Sequence, residues 1–183
     1  MNKIKTMIHL LLLMTTTYTV LHAEDKKVLA SQDISITRSN NDIDAIRAEY
    51  KTINGLKLKT QQFKYENLEC VDEGEITYYL QGNEVRKMVE KFVKGDGYTL
   101  TEYYFKDSKF IFAIEILIGG PAIGPETKTE YRYYVKNDKA LRQMEGTKTV
   151  VPDSKFTEVL VNAYKLLKAR NAKNFNEVIC NVE

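Results

Sequence analysis

The sequence predicts an α+β domain: an antiparallel β-meander of hairpin repeats, about six to eight strands long, with the N-terminal and C-terminal helices packed together on one face. Three observations point there. The segments TYYLQGNEV (from Thr77), EYYFKDSKF (from Glu102) and RYYVKNDKA (from Arg132) align without a gap, and each reads as two strands around a two-residue turn. One amphipathic helical pattern precedes these segments and another follows them. Between the helices, apolar residues alternate with period two, the spacing of strands that bury one face.

The first element is a leader. Lys3 and Lys5 precede an apolar run from Ile8 to Met14, and small Ala23 stands before EDKK, which is the pattern of a secretory signal peptide, residues 1–23, cleaved after Ala23. A membrane anchor is the competing reading, but it needs roughly 20 largely apolar residues, and this run is shorter. No cysteine near the cleavage point offers a lipid attachment site. The expectation is a soluble protein, periplasmic or secreted, with residues 24–183 forming a single domain. Loss of Lys3 and Lys5 leaves basic and acidic residues equal at 25 each, and His9 and His22 leave with the leader. Cys70 and Cys180 are then an even pair in an exported chain, read either as a disulfide or as two buried thiols. A bridge would close a loop of about 110 residues, worth roughly 4–5 kcal/mol in the chain-entropy picture.

SNNDIDAIRAEYKTING reads as a helix, with Ile43, Ile46, Tyr50 and Ile53 on one stripe. Asn40 or Asn41 is the expected cap, Asp42 and Asp44 suit the positive first turn, and Asn54-Gly55 is the stop. The alternation Leu56, Lys57, Leu58, Lys59 opens a strand, whose lysines suit a sheet edge. In the three repeats, Gly82-Asn83, Asp107-Ser108 and Asn137-Asp138 occupy the turns, where Gly, Asn and Asp tolerate positive φ. Across those turns Leu80 faces Val85, Phe105 faces Phe110 and Val135 faces Ala140. Counting by two adds Ile76, Tyr78, Tyr103, Tyr131 and Tyr133 to that side, the core face. EVRKMVEKFV fits either a helix or the second arm of the first hairpin, and its position favours the strand. KFIFAIEILI, apolar on both sides, reads as a central strand. GGPAIGPET is a loop. Pro152 with Asp153 or Ser154 then opens the last helix, with Phe156, Leu160, Ala163, Tyr164 and Leu167 as its buried stripe.

The chemistry available to residues 24–183 is narrow. Without histidine, Ser/His/Asp and Cys/His hydrolysis lack their base, and zinc sites lack their usual ligands. Neither Ser-x-x-Lys nor a Walker loop is present. No metal and no cofactor is expected, and a calcium loop in NNDID has the wrong spacing. Neutral overall charge argues against nucleic acid. Glu75, Glu102, Glu115 and Glu130 count onto one sheet face and leave a carboxylate hydrolase of envelope glycans as the enzymatic alternative. The preferred reading is a non-enzymatic binding protein. Its candidate residues are Tyr79, Tyr104 and Tyr134 with Glu102 and Arg132 on the second face, where tyrosine provides contact area and arginine directed hydrogen bonds. Ile123 in GGPAIGPE is a second candidate, able to enter a partner's cleft. The partner is a protein or envelope component. The bland alternative is a face covered by a helix or by a second copy of the chain.

At TEYYFKDSKFIFAIE and TEYRYYVKNDKALRQ the chain resembles an uncharacterised family of exported bacterial proteins with repeated Y-Y-F-x-[DN]-G-K-L hairpins, a faintly MORN-like pattern. The resemblance spans roughly Gly74 to Met144 and implies an envelope or secreted setting, with no activity attached. Ser108 and Asp138 depart from it by standing where the family has glycine.

Overall fold

A computed structural model of the protein describes residues 37–67, 71–120 and 124–172. Residues 1–23, expected as a signal peptide, and Cys70, Cys180 and Ile123 lie outside the described residues. Helix α1 runs over 37–55, and the described residues from Ile43 onward belong to one compact unit. Within it, strands β1 (Lys59–Asn67), β2 (Val71–Gln81), β3 (Glu84–Lys94), β4 (Gly97–Lys106), β5 (Lys109–Gly119), β6 (Thr127–Lys136), β7 (Lys139–Glu145) and β8 (Lys148–Val150) are followed by helix α2 (Ser154–Ala169). The strands pair antiparallel in chain order as one eight-stranded sheet. This is the α+β meander the hairpin repeats predict, and the ambiguous EVRKMVEKFV is strand β3.

Local chemistry sets the turns. Asp107 and Ser108 have φ of 51° and 59°, and Asn137 and Asp138 repeat those values, the paired left-handed conformation that matches strand twist. At Gly82-Asn83 only the glycine is left-handed, at 63°. Each turn is followed by the same irregularity. Leu80 faces Val85 but Tyr79 faces Lys87, leaving Arg86 unopposed. Phe105 faces Phe110 but Tyr104 faces Phe112, leaving Ile111. Val135 faces Ala140 but Tyr134 faces Arg142, leaving Leu141. Each is a β-bulge, two residues opposing one, and beyond it the return strand is turned over relative to strict alternation.

That inversion corrects the expected layering. The helices do not share a face. Helix α2 packs on the Tyr78, Tyr103, Tyr133 side, where Val159, Ala163 and Leu166 join a core with Ile76, Leu80, Met88, Phe105 and Phe110. On the opposite side, Ile43, Ile46 and Ile53 of α1 pack with Tyr104, Phe112 and Tyr134. The bulges deliver Phe112, Ile114 and Met144 to this second side, where Ile111 and Leu141 also pack. It thereby becomes apolar enough to need a helix of its own.

Smaller differences follow from packing. Helix α1 is already formed at residue 37, so Asn40 and Asn41 lie inside it rather than capping it; interior asparagine costs only about 0.7 kcal/mol. Strand β1 begins at Lys59 rather than Leu56, because Leu56 N–H closes the end of α1 on the Ile53 carbonyl at 3.2 Å and Leu58 packs against the α1 cluster. β1 is an edge strand, with Lys59 and Lys64 exposed on it. Asp153 caps α2 through Lys155 N–H at 3.1 Å and accepts from Gln143 Nε2 at 3.0 Å. The buried centre of α2 is Val159, Ala163, Leu166 and Ala169, with the expected Phe156, Leu160, Tyr164 and Leu167 flanking it.

Because Ser108 holds φ of 59° at a cost that glycine avoids, Ser108→Gly is expected to stabilise the protein by about 0.5–1 kcal/mol in urea denaturation. Destabilisation by that substitution would contradict the left-handed turn.

Candidate functional site

The three tyrosines expected at the site fall on one row across the sheet. Tyr79 faces Lys87, Lys87 faces Tyr104, Tyr104 faces Phe112, and Phe112 faces Tyr134. The intervening side chains bind the row together. Lys87 Nζ stands 5.7 Å from the Tyr79 ring centroid and 5.1 Å from that of Tyr104, close enough for cation–π attraction. The Phe112 ring lies 5.8 Å from Tyr104 and 4.9 Å from Tyr134. Phe112 reaches this row only because Ile111 is bulged.

This row is mostly covered. Tyr104 is 0% exposed and Tyr134 5%, while Tyr79 is half-buried. Tyr50 of α1 sets its ring edge against Tyr104 at 4.9 Å and Phe112 at 5.5 Å. Asn54 Nδ2 donates to the Tyr104 oxygen at 3.2 Å, and that hydroxyl donates to Glu102. Burial, then the bond to Glu102, pushes the Tyr104 hydroxyl well above its ordinary pKa. Glu49 of α1 accepts from Arg86 and from Lys106, the latter at 3.0 Å, fixing the helix over two hairpins. The bland reading of a helix-covered face therefore holds for Tyr104, the centre of the row.

Glu102 and Arg132 share the next row, separated by Ile114, and do not pair with each other. Glu102 pairs with Lys87 at 3.0 Å; Arg132 Nε donates to Glu130 Oε1 at 2.7 Å. Between α1 and strands β5 and β6 a cleft of about 430 Å³ remains. Phe112, Ile114 and Tyr134 supply its apolar and aromatic surface, Arg132 and Glu130 line it from the sheet, and Ile46, Arg47, Tyr50 and Lys51 line it from α1. Arg47 lies with its guanidinium carbon 5.7 Å over the Tyr134 ring and bonds Asp44 at 3.0 Å. Of the expected residues, Tyr134 and Arg132 thus meet at a cavity, Tyr104 and Glu102 lie behind it, and Tyr79 is at the far end of the row.

The opposite face carries a cluster that strict alternation misplaces. Beyond their bulges, Glu90 and Glu115 turn to the α2 side and face the same residue, Thr101, from either side of it. The expected quartet of carboxylates is accordingly broken: Glu115 lies across the sheet from Glu102 and Glu130. Glu90, 6% exposed, accepts from Tyr65 at 2.6 Å and Tyr103 at 3.1 Å. Glu115 accepts from Tyr133 at 2.9 Å. Tyr65 reaches Glu90 by lying across Gly74, where any Cβ would meet its ring at 2.3 Å. Lys155, Glu158 and Asn162 of α2 close a cavity of about 230 Å³ over the pair. Burial raises the pKa of both carboxyls; phenol donors oppose the rise at each, and at Glu90 the nearby Glu115 adds to it. Applying the bulge to the count would have found Glu90; nothing in its sequence neighbours marks it.

No family model matches this chain, and no match was found among curated proteins or solved structures. Among the described residues, no group of three or more carboxylate, imidazole or thiol side chains is placed to hold a metal ion, and no helix is long and apolar enough to cross a membrane.

Tyr104→Ala is expected to cost about 3–5 kcal/mol, as for other buried aromatics, measurable as a large drop in unfolding midpoint; a change below about 1 kcal/mol would mean the ring is not core. For Glu90 the folded pKa is raised, so its contribution is full at low pH and lost as pH rises through the folded value. Wild type should therefore lose stability relative to Glu90→Gln as pH climbs from the ordinary carboxyl value of 4.5 toward neutrality. Melting curves across that range test it, and a gap that stays constant or reverses would count against a buried carboxyl there.

Proposed function

We propose that the protein is an exported, non-enzymatic binding protein, and that its ligand, a component of the envelope or external medium, enters the cleft between α1, β5 and β6. One observation carries this reading: a concavity of about 430 Å³, within the size range of ligand sites, has an aromatic and apolar floor and a few charged groups at its walls. Such a combination takes up an apolar body and orients it by polar contacts. Tyr104 and Glu102 serve the site from behind, by holding Lys87 and α1 in place. The leader at residues 1–23 and the likeness to exported hairpin-repeat proteins support the setting.

The enzymatic alternative draws on Glu90 and Glu115 rather than on the four carboxylates counted onto one face. An acid and base working together need their pKa values pushed apart. Here burial raises both, and both oxygens of Glu90 are already engaged by phenols. That pattern suits a buried structural pair better than a catalytic one.

Ile114 is only partly buried, so Ile114→Arg should fold and fill the cleft with a charged side chain. Immobilised protein, its folding checked by circular dichroism, is expected to retain a ligand from envelope or supernatant extracts that the variant retains roughly tenfold less, a difference of about 1.4 kcal/mol. Equal retention by both, or none by either, would overturn the assignment of binding to this cleft.

A further inference from the structure

The walls of the cleft are unequal in charge. Arg47 and Lys51 enter from α1 and Arg132 from β6, against the single carboxylate of Glu130. Arg132 and Glu130 largely satisfy each other, at 2.7 Å, and this pair leaves guanidinium donors of Arg132 over for a third group. Arg47 lies over the Tyr134 ring and pairs with Asp44, the two side chains being 49% and 69% exposed; exposed pairs of this kind are weak and easily exchanged. Two guanidinium groups thus line one cavity, one from the helix and one from the sheet, and planar forks of this type match carboxylate oxygens.

The floor has its own preference. Tyr50, Phe112 and Tyr134 line the cavity, with Tyr50 and Phe112 inclined at 79° and Phe112 and Tyr134 at 48°. Another ring can extend this tilted cluster in the edge-to-face geometry that aromatic pairs favour. Glu130 stands in the wall and opposes a doubly charged anion such as a phosphate monoester, while one negative charge is balanced by Arg47 and Lys51. On the reading that this cleft is the binding site, we infer that its ligand is a small aromatic monocarboxylate, its ring on Phe112 and Tyr134 and its carboxylate between Arg47 and Arg132.

Isothermal titration of the protein lacking residues 1–23 with phenylpropionate, phenylpropanol, octanoate and phenyl phosphate tests this. Phenylpropionate is expected to bind at least about tenfold more tightly than the other three. Arg47→Gln and Arg132→Gln should each weaken it by roughly tenfold or more, as loss of a charge-assisted hydrogen bond does, while Lys128→Gln, outside the cleft, leaves it unchanged. Equal binding of phenylpropanol overturns the role of the carboxylate, equal binding of octanoate overturns the aromatic requirement, and equal binding of phenyl phosphate overturns the preference for a single charge. No binding of phenylpropionate overturns the inference, and the cleft reading survives that result if extracts still yield a ligand lost in Ile114→Arg. Phenylpropionate binding undiminished in Ile114→Arg puts the ligand elsewhere and overturns both.

Discussion

The bulge that follows each hairpin turn is the constraint on which the other features rest. Arg86, Ile111 and Leu141 each add one residue to a return strand, and since side chains alternate across a sheet, one added residue exchanges the faces of everything beyond it. Met88, Glu90, Phe92, Ala113 and Glu115 are thereby placed on the α2 side, while Phe112, Ile114 and Met144 go to the α1 side. With strictly alternating strands Phe112, Ile114 and Met144 would leave the α1 side, and the helix would lose part of the apolar surface it covers there.

Two layers of different character result. The α2 side is a dense core in which Tyr78 ties strand to helix, its hydroxyl donating to the Leu166 carbonyl at 2.7 Å. Glu90 on that side sits among phenols, which satisfy it without supplying a countercharge, so burial dominates its protonation, while half-buried Glu115 also has Lys155 nearby. The α1 side is held differently. Glu49, Glu102, Lys87, Arg86 and Lys106 form ion pairs around an aromatic row, and the helix covers the row at Tyr104 while leaving room beside Phe112 and Tyr134. A cleft arises there because α1 covers the hairpin end of the sheet near Tyr104 and Tyr134, while Ile114 and Arg132 lie one row further from the turns.

Tyrosine pairs explain how one repeated motif supports both layers. In each Tyr-Tyr, the first ring (Tyr78, Tyr103, Tyr133) points to the α2 core and the second (Tyr79, Tyr104, Tyr134) to the α1 side. Both rings reach polar partners by their hydroxyls in the β4 copy, Tyr103 at Glu90 and Tyr104 at Glu102, as buried tyrosines generally require. Identical dipeptides therefore have different exposure according to what covers each strand: Tyr104 is sealed, Tyr134 borders a cavity, and Tyr79 is half open.

Turn positions, strand order, the pairs Leu80 with Val85, Phe105 with Phe110 and Val135 with Ala140, and the division of each Tyr-Tyr between two faces were all legible in the sequence. These depend on residues a few positions apart, where two-residue turn chemistry and side-chain alternation suffice. That Arg132 and Tyr134 share one sheet face was legible on the same grounds, and both line the cleft beside α1. The location of the helices on opposite faces, the burial of Tyr104, the separation of Glu102 from Arg132 and the pairing of Glu90 with Glu115 were decided by tertiary structure. Arg86, Ile111 and Leu141 share no chemistry that marks a bulge, and a bulge is favourable here only because the two faces it creates are each covered by a helix distant in sequence. Local spacing can specify which residues meet across a turn; which layer they then enter depends on apolar surface contributed by segments that the local pattern does not contain.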